Sequence, residues 1–230
     1  MLKNNTLKVC SDAGFLPFEM KNSSGQWEGF DVDMMKDFSK SLNLKLEMIQ
    51  INFDGIIPAL LSGKCDMIAA GMTVTPSRKK VVSFSHPTFE NGLSIALKNT
   101  EEGKIKYTNL ASLDKQGLKI AVKTGYTSDI YLTKYLKKAQ ILRFDEDSDL
   151  YLAVRQGRAD AFVSDSTYVS LILKENKNKL IVLPTNVTAE EFSVATRMQD
   201  KELTESFNQF LEKWKSSPAY SQAYDKYFKG

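Results

Sequence analysis

The chain has 230 residues, 42% of them hydrophobic and 26% charged, enough for one large domain or two lobes and too apolar for a disordered chain. A net charge of +3 with lysines scattered along the chain excludes a nucleic-acid footprint, and no apolar run reaches the roughly 18 residues of a transmembrane helix. Two cysteines, Cys10 and Cys65, and a single histidine, His86, offer neither a metal cluster nor a Cys–His nucleophile pair, so no metal and no cofactor are expected.

The start, MLKNNTLKV, is polar and has no apolar signal-peptide core; it reads as a mature chain trimmed of its export signal. Leu7 to Cys10 reads as a strand, and NSSGQ (22–26) as a hairpin-like turn. Met34, Met35, Phe38 and Leu42 recur at helical spacing, with Asp31 or Asp33 as an acidic cap. Lys45 to Ile49 alternates as a strand. A short helix follows from Ile56 to Leu61, with Pro58 in its first turn and Gly63 closing it; Met67 to Ala70 is a continuous apolar strand. Gly92 to Lys98 reads as extended.

A second unit of the same plan begins with a strand at Leu118 to Val122. A tight turn, a helix from Ser128, a strand at Ile141 to Phe144 and a helix from Asp149 closed by Gly157 follow. A strand then runs from Ala161 to Val163 and ends at Ser164 and Asp165; a helix over 166–175 and a strand over 180–183 come next. After an extended segment, Glu191 to Thr196, the tail is an amphipathic helix, Glu202 to Trp214, and a last aromatic-rich helix from Ser221 to Phe228. The alternation of strands and helices indicates an α/β fold of two lobes, each a mainly parallel sheet flanked by helices. The tail folds back on the first lobe, so residues 1–95 with 192–230 form lobe 1, 96–191 form lobe 2, and hinge strands cross near 92–98 and 190–196.

Ligands of open α/β sheets bind beyond the carboxyl ends of the strands. Asp12, Phe15, Phe53, Gly71, Met72, Thr73, Arg78, Lys123, Thr127 and Asp165 stand at those ends. Arg78 suits a carboxylate through paired hydrogen bonds, and helix starts at Thr75-Pro76 and at Thr127-Ser128 offer N–H groups to the same anion. Asp165 suits an ammonium, and Phe15 and Phe53 can flank an aliphatic stem. On spacing alone a purely structural role, with Arg78 in an internal ion pair and the threonines as caps, is the better fit. His86, in Ser-His-Pro, reads as a turn residue.

The stretches SDAGFLPFEM, GFDVDM, FDGIIPALLSGKCDMIAAGMTVTPSRKKVVSFS, KIAVKTGYTS and GRADAFVSD resemble, in order, the polar amino acid family of bacterial extracellular solute-binding proteins. The resemblance implies a two-lobed type II binding-protein fold. It further implies a chain that is not an enzyme, works as a monomer, captures an amino acid by hinge closure and hands it to an ABC importer. Location is implied as periplasmic or as a surface lipoprotein.

Residue by residue, the resemblance implies that Arg78 with the N–H groups of Thr73 and Thr127 holds the ligand carboxylate. Asp165 with the Gly71 carbonyl and the Thr73 hydroxyl would hold the ammonium. Phe15 and Phe53 flank the side chain, and Asp12 and Lys123 lie toward its far end. The ligand is then glutamine or a basic amino acid such as lysine or arginine. Lys123 matches glutamine binders, while Ser164 departs from the histidine these often carry. A receptor sensor domain, or a cyclohexadienyl dehydratase-like enzyme using Glu90, are the alternatives on the same fold. Parallel neighbouring strands ending at Asp12 and Gly71 put Cys10 and Cys65 about four residues, roughly 13 Å, out of register. That exceeds the roughly 7 Å a disulfide spans, so two free thiols are expected.

Overall fold

The computed structural model describes residues 5–100, 107–176, 178–183 and 187–229; the first four residues of the polar lead lie outside this range. The chain divides into two compact units, Met1–Glu90 with Glu191–Gly230, and Asn91–Glu190. Elements are numbered in chain order.

In the first unit β1 (Thr6–Ser11) pairs in parallel with β4 (Lys45–Gln50), Leu7 opposite Leu46 and Cys10 opposite Ile49. On its other side it pairs in parallel with β5 (Met67–Ile68). β14 (Ala195–Thr196) is wedged antiparallel between β5 and β6 (Ser83–Phe84), giving the order β4-β1-β5-β14-β6. The returning tail therefore supplies an interior strand to this sheet. The NSSGQ turn joins β2 (Met20–Lys21) to β3 (Trp27–Glu28), its Asn22 carboxamide oxygen accepting the N–H groups of Ser24 and Gln26.

Helix α1 spans Phe30–Ser41 and packs on β4. It begins four residues before the apolar pattern suggests, with Gly29 as its cap, so Asp31 and Asp33 sit inside the first turn. Gly29 has φ +136, and a Cβ there would lie 2.1 Å from the Phe18 carbonyl oxygen, so only glycine fits. Helix α2 spans Phe53–Leu61. Pro58 is its sixth residue rather than a first-turn one, and costs the helix one N–H···O bond. Helices α6 (Lys201–Lys215) and α7 (Pro218–Phe228) close the unit. The aromatic spacing of α7 serves packing: Phe228 stacks on Phe89, with ring centres 4.8 Å apart.

The expectation of free thiols is wrong. Cys10 and Cys65 form a disulfide, with Cα atoms 5.7 Å apart, and both residues are fully buried. Register alone separates the two cysteines only if the chain stays extended back to Cys65, and it does not. Strand β5 begins only at Met67; before it the chain bends out of Gly63, which has φ +79. The Asp66 N–H donates to the Lys8 carbonyl, and the Lys8 N–H to the Asp66 carboxylate, and this bend carries Cys65 beside β1.

In the second unit β9 (Lys119–Lys123) pairs in parallel with β10 (Gln140–Phe144) and β11 (Ala161–Asp165). β8 (Leu93–Lys98) runs antiparallel between β11 and β12 (Leu180–Val182), giving β10-β9-β11-β8-β12. The first three strands repeat the arrangement β4-β1-β5, as the similar plan of the two halves implies. Helices α3 (Thr127–Tyr135), α4 (Asp147–Arg155) and α5 (Ser166–Glu175) flank the sheet. Its core gathers Leu93, Ile95, Ile120, Val122, Leu132 and Val163.

The crossings fall at 90/91 and 190/191. Residues 91–95, assigned from sequence to lobe 1, belong to the second unit because Leu93 to Leu97 are buried as part of an inner strand. The segments spanning the two crossings, β7 (Phe89–Asn91) and β13 (Glu190–Phe192), pair with each other as a two-stranded sheet.

Candidate functional site

In the first unit the loop after β5 is built around Gly71. Its φ of +50 is left-handed, and a Cβ there would lie 2.3 Å from the ring edge of Phe15. The Gly71 N–H donates to the Asp31 carboxylate at 3.1 Å. Burial raises the Asp31 pKa to about 6, partly offset by that hydrogen bond. Beyond Gly71 the loop is laced to the returning chain. Met72 O accepts the Ser193 N–H, Thr73 bridges Phe192, and the Val74 N–H donates to Glu191 O.

Thr75 does not open an α-helix. Only a 3-10 turn, Arg78–Lys80, follows it, and the Thr75 hydroxyl accepts the Arg78 N–H at 3.2 Å. The helix start expected there is absent because the three-residue turn ends at Val81. Arg78 is 7% exposed; it donates to the Thr73 carbonyl at 2.8 Å and lies over the Phe53 ring, 5.2 Å from its centre. Asp12, just past β1, is buried. Phe15 is fully buried and contacts Phe18 and Phe192, so it forms the back of the loop as much as a wall.

In the second unit Lys123 ends β9 and Asp165 ends β11, neighbouring parallel strands. Asp165 is 3% exposed and accepts the Asn91 amide at 2.7 Å; Asn91 in turn accepts the Thr167 hydroxyl. Thr127 starts α3, a true helix start as read, and its hydroxyl donates to Glu190 at 2.8 Å. Lys123 has a partner that the sequence reading did not provide. Its ammonium donates to Asp147 at 2.6 Å, with the two side chains 1% and 0% exposed, and the Tyr126 hydroxyl reaches the same carboxylate oxygen at 3.4 Å. Burial, followed by the Asp147 charge, holds the Tyr168 hydroxyl well above its ordinary pKa.

The structure thus gathers Asp12, Phe15, Phe53, Gly71, Met72, Thr73 and Arg78 in one unit, and Lys123, Thr127 and Asp165 at one sheet edge of the other. Asp31, Asn91, Asp147 and Glu190, which support them, escaped sequence reasoning. Asp31, Asn91, Asp147 and Glu190 lie 40, 74, 24 and 63 positions from the residues they hold, and no local pattern joins such pairs.

The match of residues 7–230 to the family model for bacterial extracellular solute-binding proteins, family 3, covers nearly every residue just described. The chain belongs to that family. Among family 3 relatives, the ABC transporter glutamine-binding protein GlnH of Bacillus subtilis is 34% identical, over 92% of this chain and 77% of that protein. An ancestral arginine-binding protein bound to arginine is 36% identical, with a TM-score of 0.90, over 99% of this chain and all of that one. An ancestral amino acid-binding protein described as a precursor of cyclohexadienyl dehydratase is 37% identical, with a TM-score of 0.91, over 98% and 96%. Among the described residues no helix is long and apolar enough to cross a membrane.

Proposed function

We propose that this family 3 protein captures a cationic L-amino acid, arginine, lysine or ornithine, by hinge closure and delivers it to an ABC importer. Arg78 takes the ligand carboxylate with the N–H groups of Thr73 and Thr127. Asp165, with the Gly71 carbonyl and Thr73 hydroxyl, takes the ammonium, and Phe15 and Phe53 flank the stem. Met72 lines the loop between Gly71 and Thr73. A bound zwitterion favours the closed arrangement by contacts it makes only there.

The observation that carries the choice of ligand is the 2.6 Å pair of Lys123 with Asp147. Lys123 suggested a glutamine carboxamide so long as its ammonium faced the ligand. With Asp147 beside the Lys123 ammonium, the lysine speaks less for a carboxamide, and the carboxylate of Asp12, assigned to the same far end, suits a guanidinium or ammonium.

On this reading the chain is not an enzyme: arogenate or prephenate incubated with it yields no aromatic product. It works as a monomer outside the cytoplasm, and the buried disulfide suits an oxidising compartment. A thermal-shift screen of the twenty amino acids, ornithine and citrulline tests the ligand class. Arginine, lysine or ornithine at 100 times its dissociation constant adds about 2.7 kcal/mol of stability, and glutamine less at equal concentration. Arg78→Ala abolishes the shift. A shift for glutamine alone, or one that survives Arg78→Ala, refutes the assignment.

A further inference from the structure

Asp165 immediately precedes helix α5, the place where a carboxylate ordinarily accepts the N–H of the second or third helical residue. It makes no such bond to its own helix. The helix is capped from a neighbouring segment instead. The Gly92 carbonyl accepts the Ser166 N–H at 2.7 Å and the Ser166 hydroxyl at 2.8 Å. The Asn91 carboxamide oxygen accepts the Thr167 N–H at 3.4 Å and the Thr167 hydroxyl at 3.1 Å. Asn91 and Gly92 thus meet two of the N–H groups that the first turn of a helix leaves over. With its oxygen so engaged, the Asn91 carboxamide turns its NH2 to Asp165, to which it donates at 2.7 Å. The antiparallel register that sets Asp165 opposite Leu93 brings this segment to the start of α5.

We infer that Asn91 is a positioning residue for ligand capture: it fills the capping place at α5 that Asp165 would otherwise take, and holds the Asp165 carboxylate in the orientation that receives the ligand ammonium. This rests on the role given to Asp165 above and not on which amino acid is bound. Without the Asn91 side chain, the Thr167 N–H and the positive end of the helix dipole draw the Asp165 carboxylate into the ordinary cap position. Its hold on the ammonium then weakens, while the groups that take the ligand carboxylate and side chain stay as they are.

The test compares arginine with its des-amino analogue, which lacks only the α-ammonium, by competition calorimetry on the full chain. Glutamine and its des-amino analogue form the same comparison if glutamine binds more tightly. In the wild type the analogue is expected to bind roughly 100-fold more weakly. Asn91→Ala lowers this ratio about tenfold, by weakening the amino acid and leaving the analogue unchanged. Thr167→Val, which removes the hydroxyl that steadies the Asn91 carboxamide but keeps the helix N–H, lowers it in the same direction by less. A merely architectural role for Asn91 weakens both compounds alike, so an unmoved ratio in Asn91→Ala overturns the inference. Circular dichroism checks folding, and if Asn91→Ala does not fold, Thr167→Val decides by the same criterion. A wild-type ratio near one sinks the assignment of Asp165 to the ammonium. A high ratio that Asp165→Ala abolishes and Asn91→Ala leaves intact sinks the role of Asn91 alone.

Discussion

Asp31 shows how a single side chain can be costly and still be kept. Its carboxyl group is buried in the first turn of α1 with its pKa raised from 3.8 to about 6, burial outweighing the Gly71 N–H. Between those pH values the folded chain holds a proton that the unfolded chain has lost. Stability from this group is therefore full below about pH 4 and declines as pH rises through 6. The displacement corresponds to about 3 kcal/mol at pH well above 6. Asp31→Asn keeps an acceptor for Gly71 and removes the charge. At pH 7.5 the variant is expected to be more stable than the wild type by up to ~3 kcal/mol in urea unfolding, with the gap closing by pH 4. A gap independent of pH rules out this account. The wild type keeps the charge at a position that fixes Gly71, whose carbonyl is assigned to the ligand.

At the scale of elements, short strands are held by features outside them. β5 has two residues and β14 two, too few to register themselves. The disulfide ties the chain entering β5 to β1, and Arg197 donates to the carbonyls of Cys65 and Leu60 while pairing with Asp200 at 2.7 Å. The bridge closes 55 positions, for which chain entropy gives about 4 kcal/mol. Replacing both cysteines by alanine should lower stability by roughly that amount in chemical denaturation. An unchanged midpoint means that the packing of β5 against β14 holds this end of the sheet unaided. The disulfide was not legible because the sequence offers strand register but not the bend after Gly63 that departs from it. The helices were more legible: α5 matches its sequence reading residue for residue, because its apolar period and its Asp165 boundary are both local.

For the whole molecule, chain order decides which part can fold alone. The second unit is one continuous segment, Asn91–Glu190, with its own five-stranded sheet and core. The first unit needs the tail, since β14 lies between β5 and β6 and α6 packs on both β14 and β6. Residues 91–190 expressed alone should therefore melt cooperatively, while a chain ending at residue 190 should retain only the second unit's transition in calorimetry. Two transitions in the truncated chain contradict this division. Within the first unit the loop after β5 is bonded to the returning chain just past the second crossing: Met72, Thr73 and Val74 all bond to residues 191–193.

The sequence by itself determined the alternation of strands and helices, the return of the tail and the candidate ligand residues. Apolar period, glycine stops and motif order all act over a few neighbouring positions or are matched stretch by stretch. Only the tertiary structure decided that Cys10 bonds Cys65, that Asp31 carries Gly71, and that Asp147 receives the Lys123 ammonium. These partners are 55, 40 and 24 positions apart. They meet because separate strands and helices converge at one end of a sheet, and once buried there each polar group must be matched by whatever the neighbouring element brings.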